Sequence, residues 1–364
     1  MKILFCSDAL TIDGVASYIL NTGAALRRAG HEVAVMGRWS FKKGFQSRYR
    51  QEGLTVITCP SIGVGNIYFD MRAKMFKPDV IMTDPRRSFP LAVRIKRITG
   101  APIITYFLDP VEKTDRKGRD IESLVKYSSV FTSFEPETLK QLESLGSDVP
   151  VVRMTRPLDV FFAPSELPER KNFSILCFGR LSRYKTPGIF HILDNISELQ
   201  RSIPDFRINI LGGGGWRLLK LKHFARTLNK SLGRQCVNVI GTQLDPRKYI
   251  EESNLVLASA TSVMEAAYSL RPVIAMCSGY FGLLTSDNFD EGLRSYFSER
   301  YGKKDFSGLI PDIVGVYRRY NDEDFRNDLR EVSRRFGEDF SERETVRVFN
   351  EIMSGIQWHP KDPS

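Results

Sequence analysis

The sequence predicts two successive α/β domains, each wound about a parallel β-sheet, and three observations carry that expectation. Short β-rich runs alternate with amphipathic helical stretches along nearly the whole chain. The runs are apolar throughout rather than alternating, as in strands buried on both faces with helices between them. The length of 364 residues suits two ordinary domains better than one.

In the first domain, residues 1–160, the predicted strands are Ile3–Ser7, Glu32–Gly37, Leu54–Cys59, Val80–Asp84, Pro102–Leu108, Ser129–Phe134 and Pro150–Met154. In Val15–Ala29 the apolar residues recur at three and four, and Gly30 follows as a C-cap signal. Phe89–Thr99 has the same form, stopped by Gly100. Residues 157–172, PLDVFFAPSELPERKN, hold three Pro and no periodicity and read as the linker. The alternation restarts in a second domain, residues 170–338, with strands at Phe173–Gly179, Phe206–Leu211, Val237–Gly241, Leu255–Ala258 and Pro272–Met276. The first is followed by a helix to about Gln200, and helices separate the others. From Asp322 to about Met353 the pattern is two charged amphipathic helices.

Composition narrows the function classes. Hydrophobic residues at 42% and charged residues at 26% describe an ordinary globular chain, not a disordered or fibrous one. No apolar run approaches the ~18 residues of a membrane span. The opening Met1-Lys2-Ile3-Leu4-Phe5-Cys6-Ser7-Asp8 is short and stopped by an acid, so it reads as a first strand rather than a secretory signal, and the protein as cytoplasmic. Five Cys, an odd number without C-x-x-C spacing, read as buried free thiols. The four His lack metal-ligand spacing, so no metal site is expected.

The net charge of +10 is uneven. Residues 1–165 carry 24 Lys and Arg against 17 Asp and Glu, a surplus of +7. Residues 27–50 and residues 72–97 each reach +6. Clustered cations attract phosphate-rich partners or an anionic membrane. In the first cluster Arg38, Trp39, Lys42, Lys43, Arg48 and Arg50, with Phe41, Phe45 and Tyr49, mix aromatics with cations, which suits a membrane interface or nucleic acid, or else a solvated loop with a few packed rings.

In such folds the chemistry belongs on loops after strands. After the first strand, Asp13-Gly14-Val15 lies at a loop-to-helix junction, where Gly lets an anion approach backbone N–H groups. It is not a full G-x-G-x-x-G, which argues against a dinucleotide oxidoreductase. The second domain opens with Phe178-Gly179-Arg180-Leu181-Ser182-Arg183-Tyr184-Lys185. Arg180 and Lys185 are either a diphosphate clamp at a strand's carboxyl end or ordinary surface charge. Further on, Ser259-Ala260-Thr261-Ser262 enters a helix that carries Glu265 in its first turn. That carboxylate either caps the helix or accepts hydrogen bonds from a ribose.

Taken together, these motifs resemble the retaining glycosyltransferases of family 4, with the GT-B fold. The resemblance covers nearly the whole chain. Gly30-His31-Glu32-Val33 looks like the family's "GHEV" strand and Lys77-Pro78-Asp79-Val80-Ile81 like its "PDVI" strand. Phe178-Gly179-Arg180-Leu181 with Lys185 resembles its "GRL…K" element, and Met264-Glu265-Ala266-Ala267 with Arg271-Pro272-Val273-Ile274 its "LEA…G-PVI" element. Leu329 to Ser341 is similar to its C-terminal helices, which cross back onto the first domain, here over about residues 340–356.

The resemblance implies two facing Rossmann-like domains and a UDP- or GDP-sugar donor held mainly by the second. Arg180 and Lys185 would neutralise the diphosphate as it leaves, and Glu265 would hold the ribose hydroxyls. Gly241 and Thr242 would lie beside the base, and the Gly14 loop would meet the sugar-phosphate. Gly179 and Ser262 belong to the same donor site. The acceptor, a glycan, lipid or small molecule, would bind the basic first domain, as in related enzymes of bacterial envelope synthesis. No cofactor, metal or nucleic acid is implied, and the enzyme would be cytoplasmic or peripheral on the inner face of the membrane.

Two departures stand out. The family's pair of Glu separated by seven residues lacks its first member here, because counting back from Glu265 gives Leu257. Ser278-Gly279-Tyr280-Phe281-Gly282 is a Gly-rich substitute for sugar contacts. The family's first-domain His is replaced by Leu108, with Asp109 beside it as the polar contact to sugar or acceptor. These gaps leave a second class open, a catalytically silent nucleotide-sugar-binding protein of the same fold.

Overall fold

The computed structural model describes residues 1–10, 14–39, 43–59, 65–108, 110–111, 121–276, 279–294, 296–297 and 305–356, with backbone alone at Ala9, Arg38, Trp39 and 43–45. The chain forms two compact units, one of Met1–Val160 with Asp339–Ser364 and one of Phe161–Glu338.

The first unit runs β1 (Lys2–Ala9), α1 (Gly14–Arg28), β2 (Glu32–Trp39), α2 (Lys43–Gln51), β3 (Thr55–Thr58), α3 (Gly65–Phe76), β4 (Val80–Thr83), α4 (Phe89–Thr99), β5 (Ile103–Phe107), α5 (Ile121–Tyr127), β6 (Val130–Ser133), α6 (Pro136–Glu143) and β7 (Val151–Arg153). All seven strands are parallel, in the order β3-β2-β1-β4-β5-β6-β7. Ile3 of β1 pairs with Val33 of β2 on one side and Val80 of β4 on the other, so the winding reverses between β1 and β4. Alternate residues of these strands face opposite helix layers. Leu4, Cys6, Ala34 and Met36 pack with Phe69 and Ala73 of α3 and with Leu91 and Ile95 of α4. On the other face, a Cβ at Gly23 of α1 would touch Val33, and the Tyr49 hydroxyl of α2 donates to Ala16 O at 2.9 Å. Gly30 and Gly100 end α1 and α4 with left-handed φ of 91° and 76°, as the sequence pattern predicts.

The second unit runs β8 (Phe173–Phe178), α7 (Pro187–Asp194), α8 (Ile196–Ser202), β9 (Phe206–Leu211), α9 (Trp216–Ser231), β10 (Val237–Gly241), α10 (Arg247–Glu251), β11 (Leu255–Ala258), α11 (Thr261–Tyr268), β12 (Val273–Met276), β13 (Tyr280–Leu283), α12 (Phe289–Arg294), α13 (Leu309–Arg319) and α14 (Glu323–Asp339). The sheet order is β10-β9-β8-β11-β12-β13, parallel except for the antiparallel edge strand β13. Here the winding reverses between β8 and β11. The helix expected to reach about Gln200 is two, divided at Asn195, whose backbone leaves helical geometry at φ −103°, ψ 21° and whose side chain donates to His191 O at 2.8 Å.

The last helix, α15 (Glu342–Gly355), belongs to the first unit. His31 meets Phe349 edge to face at 5.5 Å, and the Thr345 hydroxyl donates to Thr155 O at 3.2 Å. Cys6, Cys177 and Cys236 are buried free thiols and Cys59 is half-buried, while Cys277 lies outside the described residues. Among the described residues no helix is long and apolar enough to cross a membrane.

Candidate functional site

Where a doubly wound sheet reverses its order, the connections leave in opposite directions and open a crevice at the strands' carboxyl ends. In the second unit that crevice lies between β8 and β11. The loop after β8 starts at Gly179 and turns through Ser182, whose carbonyl accepts from the Lys185 and Thr186 amides at 3.1 Å each. The turn carries the Lys185 side chain across the crevice, where Nζ donates to Ser259 Oγ at 2.9 Å. Ser259 is buried and directly follows β11. A cation from the first strand of the unit is thereby fixed at the start of α11. Arg180 is exposed on the same loop.

The neighbouring loop after β9 is Gly212-Gly213-Gly214-Gly215, a feature that the sequence reading left unused although it is the chain's densest run of glycine. Its role is close approach. A Cβ on Gly212 would lie 1.8 Å from Gly179 O, and one on Gly214 would lie 2.3 Å from Leu181 O. The Leu181 amide donates to Gly213 O at 2.8 Å, and the Gly212 amide donates to Gly241 O at 2.9 Å. Thr242 Oγ1 sits 2.5 Å from where a Gly213 Cβ would stand. Gly179, Arg180, Gly241 and Thr242, separate in sequence, are therefore gathered around one glycine loop.

The helices that start at this end share one backbone device. Gly215 caps α9 with φ 54°, ψ −126°, and Ala260 caps α11 with φ 54°, ψ −134°. Glycine adopts that conformation freely, whereas alanine is strained there. Neither cap residue supplies a side-chain hydrogen bond, so the amides of each first turn are not capped by their own N-cap side chain. Such helix ends favour anions.

Ser262 is half-buried in the first turn of α11. Glu265 is the fifth residue of that helix, a turn later than the sequence reading placed it, and α11 has no acid in its first turn. That position lies beyond the first turn, where a capping acid would stand. The residue as a whole is 8% exposed, and its backbone carbonyl accepts from the Ser269 hydroxyl at 2.9 Å. Arg271 is structural: its buried guanidinium donates to Ile250 O at 3.2 Å, Ser165 Oγ at 2.5 Å and Glu166 O at 2.8 Å, and burial lowers its pKa. Tyr280–Leu283 forms β13, so of the Gly-rich segment after β12 only Gly279 stands in a turn, while Ser278 lies outside the described residues.

In the first unit Gly14 is the first residue of α1, and residues 11–13 before it lie outside the described residues. At the β1–β4 reversal Asp84 is buried, accepting from the Arg86 amide and from Ser88 Oγ, each at 2.7 Å. Arg87 approaches Asp8 at 3.7 Å. The sequence reading treated Asp84 only as the end of a strand; the strand-end position of an acid was the available signal. Asp109 lies outside the described residues, as do the side chains of Arg38, Trp39, Lys42 and Lys43. Arg48 is half-buried and Arg50 exposed, but Tyr49 between them is core. Among the described residues no three His, Cys, Asp or Glu gather as a metal site.

No family model and no curated protein matches the sequence. Solved structures match over nearly the full length. Anabaena HepE in complex with UDP-glucose superimposes with a TM-score of 0.69 at 14% identity, covering 97% of this chain and 100% of its own. Sucrose-phosphate synthase from Thermosynechococcus elongatus gives 0.65 at 15%, covering 98% and 100%. A UDP-N-acetylglucosamine 2-epimerase, so described for Listeria monocytogenes as a putative assignment, gives 0.67 at 11%, covering 100% and 99%. At these identities the likeness establishes the fold, which is GT-B along the whole chain.

Proposed function

We propose that this chain is a retaining glycosyltransferase that moves a sugar from a UDP- or GDP-sugar to a hydroxyl of a glycan, lipid or small-molecule acceptor. The observation that carries the proposal is the 2.9 Å contact of Lys185 Nζ with Ser259 Oγ at the β8–β11 reversal, beside Arg180 and the glycine loop. The names of the fold neighbours support it: HepE was solved with UDP-glucose and another neighbour is a sucrose-phosphate synthase.

In this reading residues 170–338 hold the donor, and residues 1–160 with the helix near 340–356 take the acceptor. Arg180 and Lys185 face the diphosphate. As the bond from the sugar's anomeric carbon to the β-phosphate oxygen breaks, its electron pair stays on that oxygen, and the two cations stabilise the charge. The acceptor oxygen bonds to the anomeric carbon from the same side and passes its proton to the departing phosphate. Glu265 accepts the ribose hydroxyls, and Gly241 and Thr242 border the base. Gly179, Ser262 and Gly279 line the donor, the amides after Gly14 meet the sugar-phosphate, and Asp109 contacts sugar or acceptor. With two cations on the leaving group, the mechanism calls for neither metal nor cofactor. Arg38, Trp39, Lys42, Lys43, Arg48 and Arg50 offer an acceptor- or membrane-facing surface, for a protein that is cytoplasmic or peripheral at an envelope membrane.

One observation favours the second reading, a silent nucleotide-sugar-binding relative. Leu257, where the family's first Glu would fall, is buried in β11. Incubation of the protein with a panel of UDP- and GDP-sugars and candidate acceptors separates the two. Release of nucleoside diphosphate with a product of unchanged anomeric configuration is expected. Binding without release would leave only the silent reading, and an inverted product would remove the retaining mechanism.

A further inference from the structure

Helix α3 is apolar on two faces, and only one of them has a partner. Phe69, Ala73 and Phe76 point inward and pack in the core of the first unit. On the opposite side Ile67, Met71 and Met75 are 73%, 50% and 65% exposed. Their spacing of four and eight places them in one stripe. Of the large hydrophobic side chains exposed in the first unit, only Met1 lies elsewhere among the described residues. A stripe of this kind marks an interaction surface.

The surroundings of the stripe are cationic. Lys74 lies along it and Lys77 follows the helix, both exposed. The acid on its flank is neutralised, because Arg94 of α4 grips both Asp70 carboxylate oxygens at 2.7 and 2.6 Å. Beyond that pair lies a cavity of about 670 Å3 bordered by Asn66, Arg94, Arg97, Glu122, Lys126 and Tyr127. Arg97 donates to the Tyr127 hydroxyl at 2.9 Å, and Arg97 and Lys126 both stand 5.5 Å from the Tyr127 ring. One ring thus holds two cations at the cavity, with Glu122 the single acid on its border.

We propose that the outer face of α3, together with α4 and α5, docks the protein on an anionic lipid bilayer. The three apolar side chains enter the acyl boundary, and the cations at the cavity take headgroup phosphates. A short stripe of Ile and flexible Met, flanked by long Lys and Arg stems that reach toward phosphate, suits a bilayer boundary. The charge is complementary to an anionic leaflet. This assignment is independent of the donor reading. It puts the membrane on the face of the sheet opposite to α2, and so opposite to Arg48 and Arg50, leaving that cluster to an acceptor.

The test is cosedimentation of the full chain with vesicles of phosphatidylcholine and of an equal mixture with phosphatidylglycerol. Wild type is expected to bind the anionic vesicles alone, more weakly as salt rises. Met71→Asp with Met75→Asp should leave less than about a tenth of that binding. Arg97→Gln with Lys126→Gln should reduce it about five-fold for each cation removed. Arg48→Gln with Arg50→Gln should bind like wild type. Melting temperature and its response to nucleoside diphosphate, unchanged in every variant, would show that folding and donor binding are intact. The proposal is overturned if wild type ignores the lipid charge, or if the stripe and cavity variants still bind fully. It is equally overturned if Arg48→Gln with Arg50→Gln is the variant that loses binding, since the opposite face would then carry the contact. A stripe variant that melts early would be replaced by Met71→Gln with Met75→Gln, read the same way.

Discussion

Ala260 holds a backbone conformation that costs an L-residue about 1–3 kcal/mol, at the loop where the Lys185 ammonium meets Ser259. Its counterpart Gly215 takes the same conformation at no such cost. Ala260→Gly should therefore raise the unfolding midpoint or leave it unchanged, although glycine normally lowers stability elsewhere. Gly215→Ala should lower stability by about 1–3 kcal/mol in denaturant titration. A loss of stability in Ala260→Gly would mean that the loop is not strained. The thiols supply a second residue-scale prediction. Burial pushes the Cys177 thiol up to about 12, and burial with the Asp84 charge raises Cys6 further. Neither should react with an alkylating reagent near pH 8 in the folded protein, because the thiolate is the reactive form. Half-buried Cys59 should be modified first of the four described cysteines, read by mass spectrometry of the native protein.

At the scale of elements, α15 ties the end of the chain to the first unit. Ser341 caps it, accepting from the Glu344 amide at 3.1 Å, and Phe349 is fully buried. Ser341→Ala should cost about 1 kcal/mol, and Phe349→Ala about 3–5 kcal/mol, both measured by denaturant unfolding. An unchanged midpoint for Phe349→Ala would mean that α15 is not part of the packed unit. Elements of this kind are where sequence pattern speaks most clearly. The apolar runs at Phe206–Leu211, Val237–Gly241 and Leu255–Ala258 coincide with β9, β10 and β11, and Phe89–Thr99 coincides with α4. Strand β13 was not legible, because Tyr280-Phe281-Gly282-Leu283 is short, contains glycine and pairs antiparallel at an edge, without the fully buried run of its neighbours. Helix α3 was hidden because its apolar residues lie on two faces and leave no single stripe to detect. At the candidate site Arg180, Lys185 and Gly241 were legible as charged or glycine residues after strands. The role of Gly212–Gly215 was not, because it arises from a close approach to the Gly179–Leu181 backbone that only tertiary structure creates. Glu265 was placed a turn too early because α11 starts already at Thr261, within the small-residue segment Ser259–Ser262 that reads as loop.

Across the whole molecule, two sheets each reverse their winding once, between β1 and β4 and between β8 and β11. The first reversal gathers Asp8, Asp84, Arg86 and Arg87; the second gathers Lys185, Ser259 and the glycine loop. The charge surplus of +7 in residues 1–165 belongs to the part of the chain that carries the first sheet, and not to the loop of Arg180 and Lys185. The central claim is that the second reversal binds a nucleoside diphosphate through Arg180 and Lys185. Calorimetric titration of the full chain with UDP and with GDP tests it most directly. Wild type should bind at least one of them, and Arg180→Ala and Lys185→Ala should each weaken that affinity by about 10–100-fold, the loss of a charge-assisted hydrogen bond. Binding of neither nucleotide by wild type, or full affinity in both variants, would contradict it.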